Sequence, residues 1–111
     1  MAGVNVGRLE DLPEDEGTLI DEDETGTGDG VAVFRVGDEV YAIDDTCTHE
    51  KASLAEGWLE DCEVECPLHS ARFSLTTGDA LCMPATHPVH THRVEIRGGE
   101  VWVFPGERPV R

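Results

Sequence analysis

The sequence predicts an all-β fold, a small antiparallel β sandwich or barrel-like stack, on three observations. Apolar and polar residues alternate in short runs, turn-forming residues separate those runs, and no stretch shows a convincing 3.6-residue period. With 111 residues the chain fits one domain, 1–111, which is large enough for a modest core. A domain of this size should carry out one simple task.

Two hairpins are predicted with some precision. The first joins the β-branched run 31–36 to the strand 40–43 through a Gly-Asp turn. The second lies near the end of the chain, where Val94 and Ile96 alternate with polar residues before a Gly-Gly turn and the strand 101–103. Both patterns favour antiparallel pairing of neighbouring strands.

Shorter elements are predicted outside these hairpins. Short strands are expected around 57–59, 63–65 and 72–75, each bounded by turn residues or by a candidate ligand. Residues 9–12, which precede a proline, could make one helical turn. We expect the segment of about 44–85 to form a small inserted subdomain that carries a metal site.

The formal charge of −16 limits the classes of partner. Repulsion from phosphate excludes nucleic acid and anionic membrane surfaces, so protein partners with basic patches are expected. Nine acidic residues fall within 10–24 without one Lys or Arg, although a solvated loop that aids solubility would explain them equally well. The N-terminus resembles no signal peptide and no apolar run reaches 18 residues, so a cytoplasmic location is expected.

The four cysteines fall into two pairs. Two disulfides would need a secreted context, which the sequence does not indicate, so metal binding is the better explanation. Cys47 and Cys66 each have a histidine at ligand spacing, whereas Cys62 and Cys82 do not. The second pair is expected to be free, partly buried thiols, with a labile disulfide as the alternative.

The candidate ligands are Cys47, His49, Cys66 and His69, in Cys-Thr-His and Cys-Pro-Leu-His motifs separated by sixteen residues. Two facing loops of this kind can enclose a binuclear iron-sulfur cluster, with thiolates on one iron and imidazoles on the other. Two Cys and two His can equally hold one structural zinc ion.

Other chemically suggestive side chains are given simpler explanations. His87, His90 and His92 lack a cysteine or carboxylate cluster at suitable spacing, so we expect surface residues on a connecting strand rather than a second metal site. Trp58 and Trp102 are expected to be core or strand-face aromatics, and Trp58 could pack beneath the metal site.

The motif and its surroundings resemble the Rieske family over about residues 9–104. The resemblance rests on Cys-x-His followed by Cys-Pro-x-His, on the continuation Ser-Ala-Arg-Phe at 70–73, on Thr-Thr-Gly at 76–78 and on Pro-Ala-Thr at 84–86. It implies the Rieske-like sandwich with a cluster-binding subdomain, and one Rieske-type [2Fe-2S] cluster in place of zinc. Two ferric ions, two sulfides, two thiolates and two neutral imidazoles sum to zero charge, so such a cluster is reduced more easily than a four-thiolate cluster.

Within the family, the sequence is most similar to the ferredoxin components of bacterial aromatic-ring-hydroxylating dioxygenases. High-potential members carry a disulfide at positions that here are Ala52 and Leu68, and hydroxyl donors where this chain has Ala71 and Phe73. These departures imply a low-potential cluster. Ser70 replaces a common glycine, and the resemblance assigns Pro84 to a loop that shields the cluster.

The resemblance implies an electron carrier that is not itself an enzyme, because every metal position is filled by a protein ligand or sulfide. The expected partners of this monomer are a flavoprotein ferredoxin reductase and a terminal oxygenase. Two alternatives stay open: a Rieske small subunit of another reductase, such as a nitrite-reductase-like complex, and a zinc-stabilised interaction module.

Overall fold

In the computed structural model the described residues form ten β-strands, one short helix and two single 3-10 turns. The structure describes residues 3–14, 16–26, 28–47, 52–67, 71–82 and 87–107. The strands are β1 Val4–Arg8, β2 Gly17–Ile20, β3 Val31–Val36, β4 Glu39–Asp44, β5 Trp58–Glu60, β6 Glu63–Glu65, β7 Arg72–Ser74, β8 Ala80–Cys82, β9 Thr91–Arg97 and β10 Glu100–Phe104. The helix α1 is Glu22–Thr25, and the 3-10 turns are Leu9–Asp11 and Leu54–Glu56.

Six strands make the larger antiparallel sheet, in the order β1-β10-β9-β4-β3-β2. Both predicted hairpins are confirmed: Val36 pairs with Glu39 across the first turn, and Arg97 pairs with Glu100 across the second. Gly98 has φ +57° and Gly99 φ +82°, so both turn positions have the left-handed conformation that glycine adopts without a steric penalty.

Four strands make the smaller antiparallel sheet, in the order β5-β6-β7-β8. All three short strands predicted in this region are confirmed. Asp61 and Cys62 join β5 to β6 with φ values of 49° and 63°, the left-handed pair of a two-residue hairpin turn. The carbonyl of Cys62 accepts a hydrogen bond from the Leu75 N–H at 2.9 Å, which fixes this turn to the chain that follows β7.

Two buried clusters form the core, and β3 contributes to both. One cluster joins the two sheets, with Phe34 and Ile43 from the larger sheet packed with Val64 and Phe73 from the smaller. The other covers the opposite face of the larger sheet; its buried members are Ile20, Val31, Val33, Ala42 and Val103. Alternate residues of β3 therefore enter different clusters, which explains the nearly continuous apolar run of this strand.

The acidic segment 10–24 is more ordered than the solvated-loop explanation assumes. It contains β2, which pairs with β3, and most of α1. Gly26 ends α1 with φ 67°, and the Thr25 hydroxyl donates to the Asp29 carbonyl at 2.6 Å. The single helical turn expected at 9–12 is confirmed as the 3-10 turn Leu9–Asp11. Within the described ranges, no helix is both long and apolar enough to span a membrane.

Candidate metal centre

The first candidate cysteine lies on a short hairpin that begins where β4 ends. The Cys47 N–H donates to the Ala52 carbonyl at 3.0 Å, and the Leu54 N–H donates to the Asp45 carbonyl at 2.7 Å. Between these bonds, Thr46 and Ser53 form an isolated antiparallel bridge. We call residues 45–47 and 52–54 the first ligand hairpin. His49 belongs to the connecting segment 48–51, which lies outside the described residues.

The second candidate cysteine lies on the hairpin that β6 and β7 form. The Cys66 N–H donates to the Ala71 carbonyl at 2.6 Å, just beyond the pair formed by Glu65 and Arg72. We call residues 63–74 the second ligand hairpin. Leu68, His69 and Ser70 lie outside the described residues. In both hairpins, therefore, the cysteine N–H bonds to the carbonyl five residues later.

The structure brings the two cysteines together in one buried environment. Cys47 is 3% exposed and Cys66 is fully buried, and both belong to the core cluster that joins the two sheets. Ala71 and Phe73 are fully buried in the same cluster, and Ala52 packs against it. Of the residues expected around the metal, Ala52 and Ala71 are hydrogen-bonded to the cysteine backbones and Phe73 lies in the same core cluster, whereas Pro84 lies outside the described residues.

The chemistry of these donors fits a [2Fe-2S] cluster. Cys47 and Cys66 form no disulfide, and both lie among apolar side chains. Ferric iron would bind the cysteine sulfur atoms, and the apolar walls would keep water from them. Among the residues that the structure describes, no three His, Cys, Asp or Glu side chains cluster as a metal site. The two histidines of the expected set are not among those residues.

Cys62 has the expected character of a free, partly buried thiol. The backbone register excludes its disulfide with Cys82, because Glu63 pairs with Ser74 while Cys82 pairs with Arg72, at the other end of β7. Two strand spacings and three residues of offset place the Cα atoms roughly 13 Å apart, well beyond the reach of a disulfide. The disulfide alternative is therefore wrong. The Cys82 side chain itself is outside the described part.

The expectation that all three histidines of 87–92 lie on the surface is wrong for His92. Its side chain is 4% exposed, whereas that of His90 is 90% exposed. His92 Nδ1 accepts the Gly106 N–H at 2.9 Å, so the ring proton is on Nε2, which donates to Asp44 Oδ1 at 2.8 Å. A buried histidine thus joins the turn at Gly106 to the end of β4. His87 is exposed, as expected.

Asp44 is held by both histidines. Its Oδ2 accepts the His90 backbone N–H at 3.1 Å and lies 3.0 Å from His90 Nδ1. Burial by itself would raise the pKa of Asp44, but the hydrogen bonds from the His92 ring and from His90 outweigh that effect, and the pKa is lowered. Asp44 is therefore an ionised acceptor at the base of the first ligand hairpin.

The two tryptophans both lie on strands and differ in exposure. Trp58 is 61% exposed on β5, so neither burial in the core nor packing beneath the metal site describes it. It is a strand-face residue, opposite Glu65. Trp102 is partly buried on β10, between Asn5 of β1 and Glu95 of β9.

Sequence reasoning missed two carboxylates, Asp44 and Asp45. The buried side chain of Asp45 accepts the Ser53 hydroxyl at 2.7 Å and the Ala55 N–H at 3.0 Å. One signal was available: two consecutive acidic residues end an apolar strand shortly before a candidate ligand. Their partners are 8 to 48 residues away in the sequence, and no spacing rule identifies them.

Two antiparallel sheets that enclose two buried cysteines, each on its own hairpin, define a small metal-binding β protein. Residues 3–95 match the model of the Rieske [2Fe-2S] domain. The chain therefore belongs to the Rieske [2Fe-2S] domain family, and its cofactor is one Rieske-type cluster. This membership decides against the zinc-stabilised module.

Similarity to known proteins indicates which kind of Rieske protein this chain resembles. A 3-phenylpropionate/cinnamic acid dioxygenase ferredoxin subunit from Shigella flexneri serotype 5b (strain 8401) is 50% identical over 101 residues, covering 89% of this chain and 91% of the relative. The ferredoxin in a complex of reduced oxygenase and oxidised ferredoxin of carbazole 1,9a-dioxygenase has TM-score 0.87 and 35% identity, covering 99% of this chain and 98% of that one.

A more distant solved structure, provisionally described as the small subunit of a nitrite reductase (NADPH), has TM-score 0.75 and 28% identity, with coverage of 93% and 98%. The Shigella protein and the carbazole dioxygenase protein are both ferredoxins, which are electron-transfer components rather than catalysts. The same holds for this chain.

Proposed function

We propose that this protein is the soluble, cytoplasmic ferredoxin of a ring-hydroxylating dioxygenase system. It receives single electrons from an NAD(P)H-dependent flavoprotein reductase and delivers them to a terminal oxygenase. The observation that carries the proposal is the pair of buried cysteines on two matched hairpins in one apolar cluster. Its 50% identity to a dioxygenase ferredoxin subunit supports the choice of system.

The proposed ligands are Cys47, His49, Cys66 and His69. The cluster would accept and release one electron at a time, with the added electron on the iron that the histidines hold. We propose that residues 1–111 form a single Rieske domain whose cluster-binding subdomain spans about 44–85. In this division the larger sheet supports the cluster-binding subdomain. The protein fixes the positions of the cluster ligands and keeps water away from the cluster.

The surroundings of the cysteines support a low potential. Ala71 and Phe73 are fully buried in the same core cluster as Cys66 and carry no hydroxyl group that could donate a hydrogen bond to a sulfur atom. Ala52 on the first ligand hairpin lacks a thiol, so it can form no disulfide to the second loop. A cluster without such donors is harder to reduce, because a donor stabilises the added negative charge.

The charge of the chain supports protein partners with basic docking surfaces. Oppositely charged patches steer encounter, and salt weakens that steering when the Debye length shortens. We propose that the carrier acts as a monomer, because a shuttle must expose the same cluster edge to two partners in turn. Nucleic acid and anionic membranes are not expected partners.

The ligand assignment is tested by spectroscopy of the purified protein. We expect a red-brown protein with about two irons and two acid-labile sulfides, and a rhombic signal of low average g after reduction. His69→Ala should abolish the signal. Cys62→Ser, the matched control at a free thiol that is not a proposed ligand, should retain it. A colourless protein with one zinc would contradict the assignment.

The place in the electron chain is tested by reconstitution. Reduced protein should pass electrons to a ring-hydroxylating oxygenase, and the rate should fall as salt rises. Transfer to a sirohaem nitrite reductase and not to an oxygenase would favour the nitrite-reductase alternative, with which the 28% identical structure agrees. A rate that does not change over a wide range of salt would contradict the electrostatic part.

A further inference from the structure

Asp45 links three parts of the chain at the base of the first ligand hairpin. Its backbone N–H donates to the Gly30 carbonyl at 3.0 Å, and its carbonyl accepts the Leu54 N–H at 2.7 Å. A single carboxylate oxygen, Oδ1, accepts both the Ser53 hydroxyl at 2.7 Å and the Ala55 N–H at 3.0 Å. Side chain and backbone of one residue therefore hold the chain that returns from the loop.

The need for this carboxylate follows from how little pairing the first ligand hairpin has. The second hairpin has three successive strand pairs below its loop, Glu63 to Ser74 through Glu65 to Arg72. The first has one isolated bridge, Thr46 to Ser53, with a backbone bond on either side. Two backbone bonds and one bridge would by themselves hold residues 52–55 only loosely. The Asp45 side chain adds hydrogen bonds at Ser53 and Ala55 and so fixes this segment.

Burial makes the loss of the two Asp45 carboxylate hydrogen bonds costly. Asp45 is 8% exposed, so water does not readily replace a lost partner. Removing the carboxylate would leave the Ala55 N–H, at the start of the 3-10 turn Leu54–Glu56, without its acceptor. Residues 52–55 would then shift. Cys47 would move with them, because its N–H is bonded to the Ala52 carbonyl.

We propose that Asp45 is a positioning residue for the cluster: its carboxylate sets the geometry of the first ligand hairpin, and so the position of the Cys47 sulfur. The inference rests on the proposed ligand role of Cys47. Asp45 touches no metal. Residues that orient a ligand in this way typically change metal affinity 10- to 100-fold when they are replaced.

The test measures loss of the cluster from the holoprotein. Wild type, Asp45→Ala and Asp45→Asn are incubated with an iron chelator, and the decay of visible absorbance is followed at one temperature, below the unfolding transition of each protein. Asp45→Ala should lose its cluster about 10- to 100-fold faster than wild type. Asp45→Asn should stay close to wild type, because the amide oxygen can accept both hydrogen bonds.

A control separates positioning from general stability. Arg35 donates to the carbonyls of Gly37, Leu9 and Leu12, at the end of β3 away from the ligand hairpins. Arg35→Gln removes one exposed and two partly buried hydrogen bonds, and it should lower the unfolding midpoint without changing cluster loss. Equal acceleration in Arg35→Gln and Asp45→Ala would overturn the proposal.

A second variant and a second readout complete the design. If Asp45→Ala does not fold, Ser53→Ala removes one of the two carboxylate bonds and should give an intermediate rate of cluster loss. The g values of the reduced cluster should shift in Asp45→Ala and return in Asp45→Asn. Unchanged loss rates in Asp45→Ala, or in Ser53→Ala where it is used, would refute the role of Asp45. A wild type without a rhombic signal would instead refute the ligand assignment.

Discussion

The two ligand hairpins are closed by the same backbone bond and supported by different means. In each, the cysteine N–H bonds to the carbonyl five residues on, at 3.0 Å in the first and 2.6 Å in the second. Below that bond the second hairpin continues as two strands of a four-stranded sheet, whereas the first ends after one bridge and depends on a buried carboxylate.

The difference follows from the position of each hairpin in the fold. β4 pairs with β3 on one side and β9 on the other, and the chain leaves this sheet after Asp44. The first hairpin begins at that departure, and among the described strands none continues its pairing. Two hairpins closed by the same backbone bond can therefore differ in robustness: several strand pairs hold the second, and a few specific hydrogen bonds hold the first.

The largest effect on the second hairpin is expected from Gly57→Ala. A Cβ atom on Gly57 would overlap the Glu65 carbonyl oxygen and press on the Leu54 carbonyl, which are backbone atoms that cannot rotate away. Overpacking of this kind costs about 3 kcal/mol. Gly26→Ala has open space and only the cost of its positive φ, about 1 to 2 kcal/mol.

Urea unfolding of both variants measures these values, and Gly57→Ala should also broaden the spectrum of the reduced cluster. Equal destabilisation by the two substitutions would mean that the smaller sheet yields at Gly57, and that the second hairpin is the more adaptable one.

Acid should weaken the base of the first hairpin through Asp44. Because the folded-state pKa of Asp44 is lowered, its contribution to stability is present above the unfolded-state pKa of about 3.9 and is lost as pH falls through the folded-state pKa. The free energy of unfolding should therefore fall below about pH 4, and less steeply in Asp44→Asn. Asp38→Asn, at the exposed β3–β4 turn, serves as the control and should follow wild type. Parallel curves for wild type and Asp44→Asn would contradict this prediction.

A smaller effect is expected from Phe73→Tyr on the second hairpin. A phenol beside the cluster sulfur would donate a hydrogen bond that strengthens on reduction, so the potential should rise by several tens of millivolts, where about 59 mV corresponds to about 1.4 kcal/mol for one electron. Phe104→Tyr adds the same hydroxyl to a buried ring on β10, outside the core cluster that contains the cysteines, and should leave the potential unchanged. Voltammetry of intact proteins decides the point, and a lowered or unchanged potential in Phe73→Tyr would show that Phe73 does not help to set the potential.

The smallest effect is expected from Arg72→Met. Arg72 pairs with Glu60, Glu63 and Glu65 at 3.5, 3.4 and 3.3 Å, yet all four side chains are partly or largely exposed. Ion pairs in contact with water contribute little to folding. The unfolding midpoint and the rate of cluster loss should both stay near wild type at moderate salt. Cluster loss as fast as in Asp45→Ala would show that an ion pair, rather than the sheet, supports the second hairpin.

The local sequence pattern was sufficient to predict much of the fold. The hairpins β3–β4 and β9–β10 have alternating apolar residues and turn glycines, and the short strands β5, β6 and β7 lie between clear turn signals. Three strands and two short helical elements were missed. β1 carries a bulge between Asn5 and Gly7 and pairs with β10 almost a hundred residues later. β2 and α1 lie within the acidic run, where composition conceals a strand and a helical turn.

The candidate site likewise has parts that the sequence predicted and parts that it did not. Cysteine and histidine spacing indicated a candidate ligand set, which stays a prediction, and the two cysteines of that set occupy one buried cluster. Burial of His92 was not predictable, because it requires the turn at Gly106 and the end of β4 to meet around the ring. The support of the first hairpin was likewise hidden, since it depends on a contact between side chains that no periodicity encodes.

The His92–Gly106 bond has a consequence for how the end of this chain can be altered. The turn at Gly106 supplies the N–H that satisfies a buried imidazole nitrogen, so this turn is part of the folded domain. A chain cut before Gly106 leaves Nδ1 of His92 without its donor, and the same imidazole that orders Asp44 becomes a weak point far from the cut in sequence.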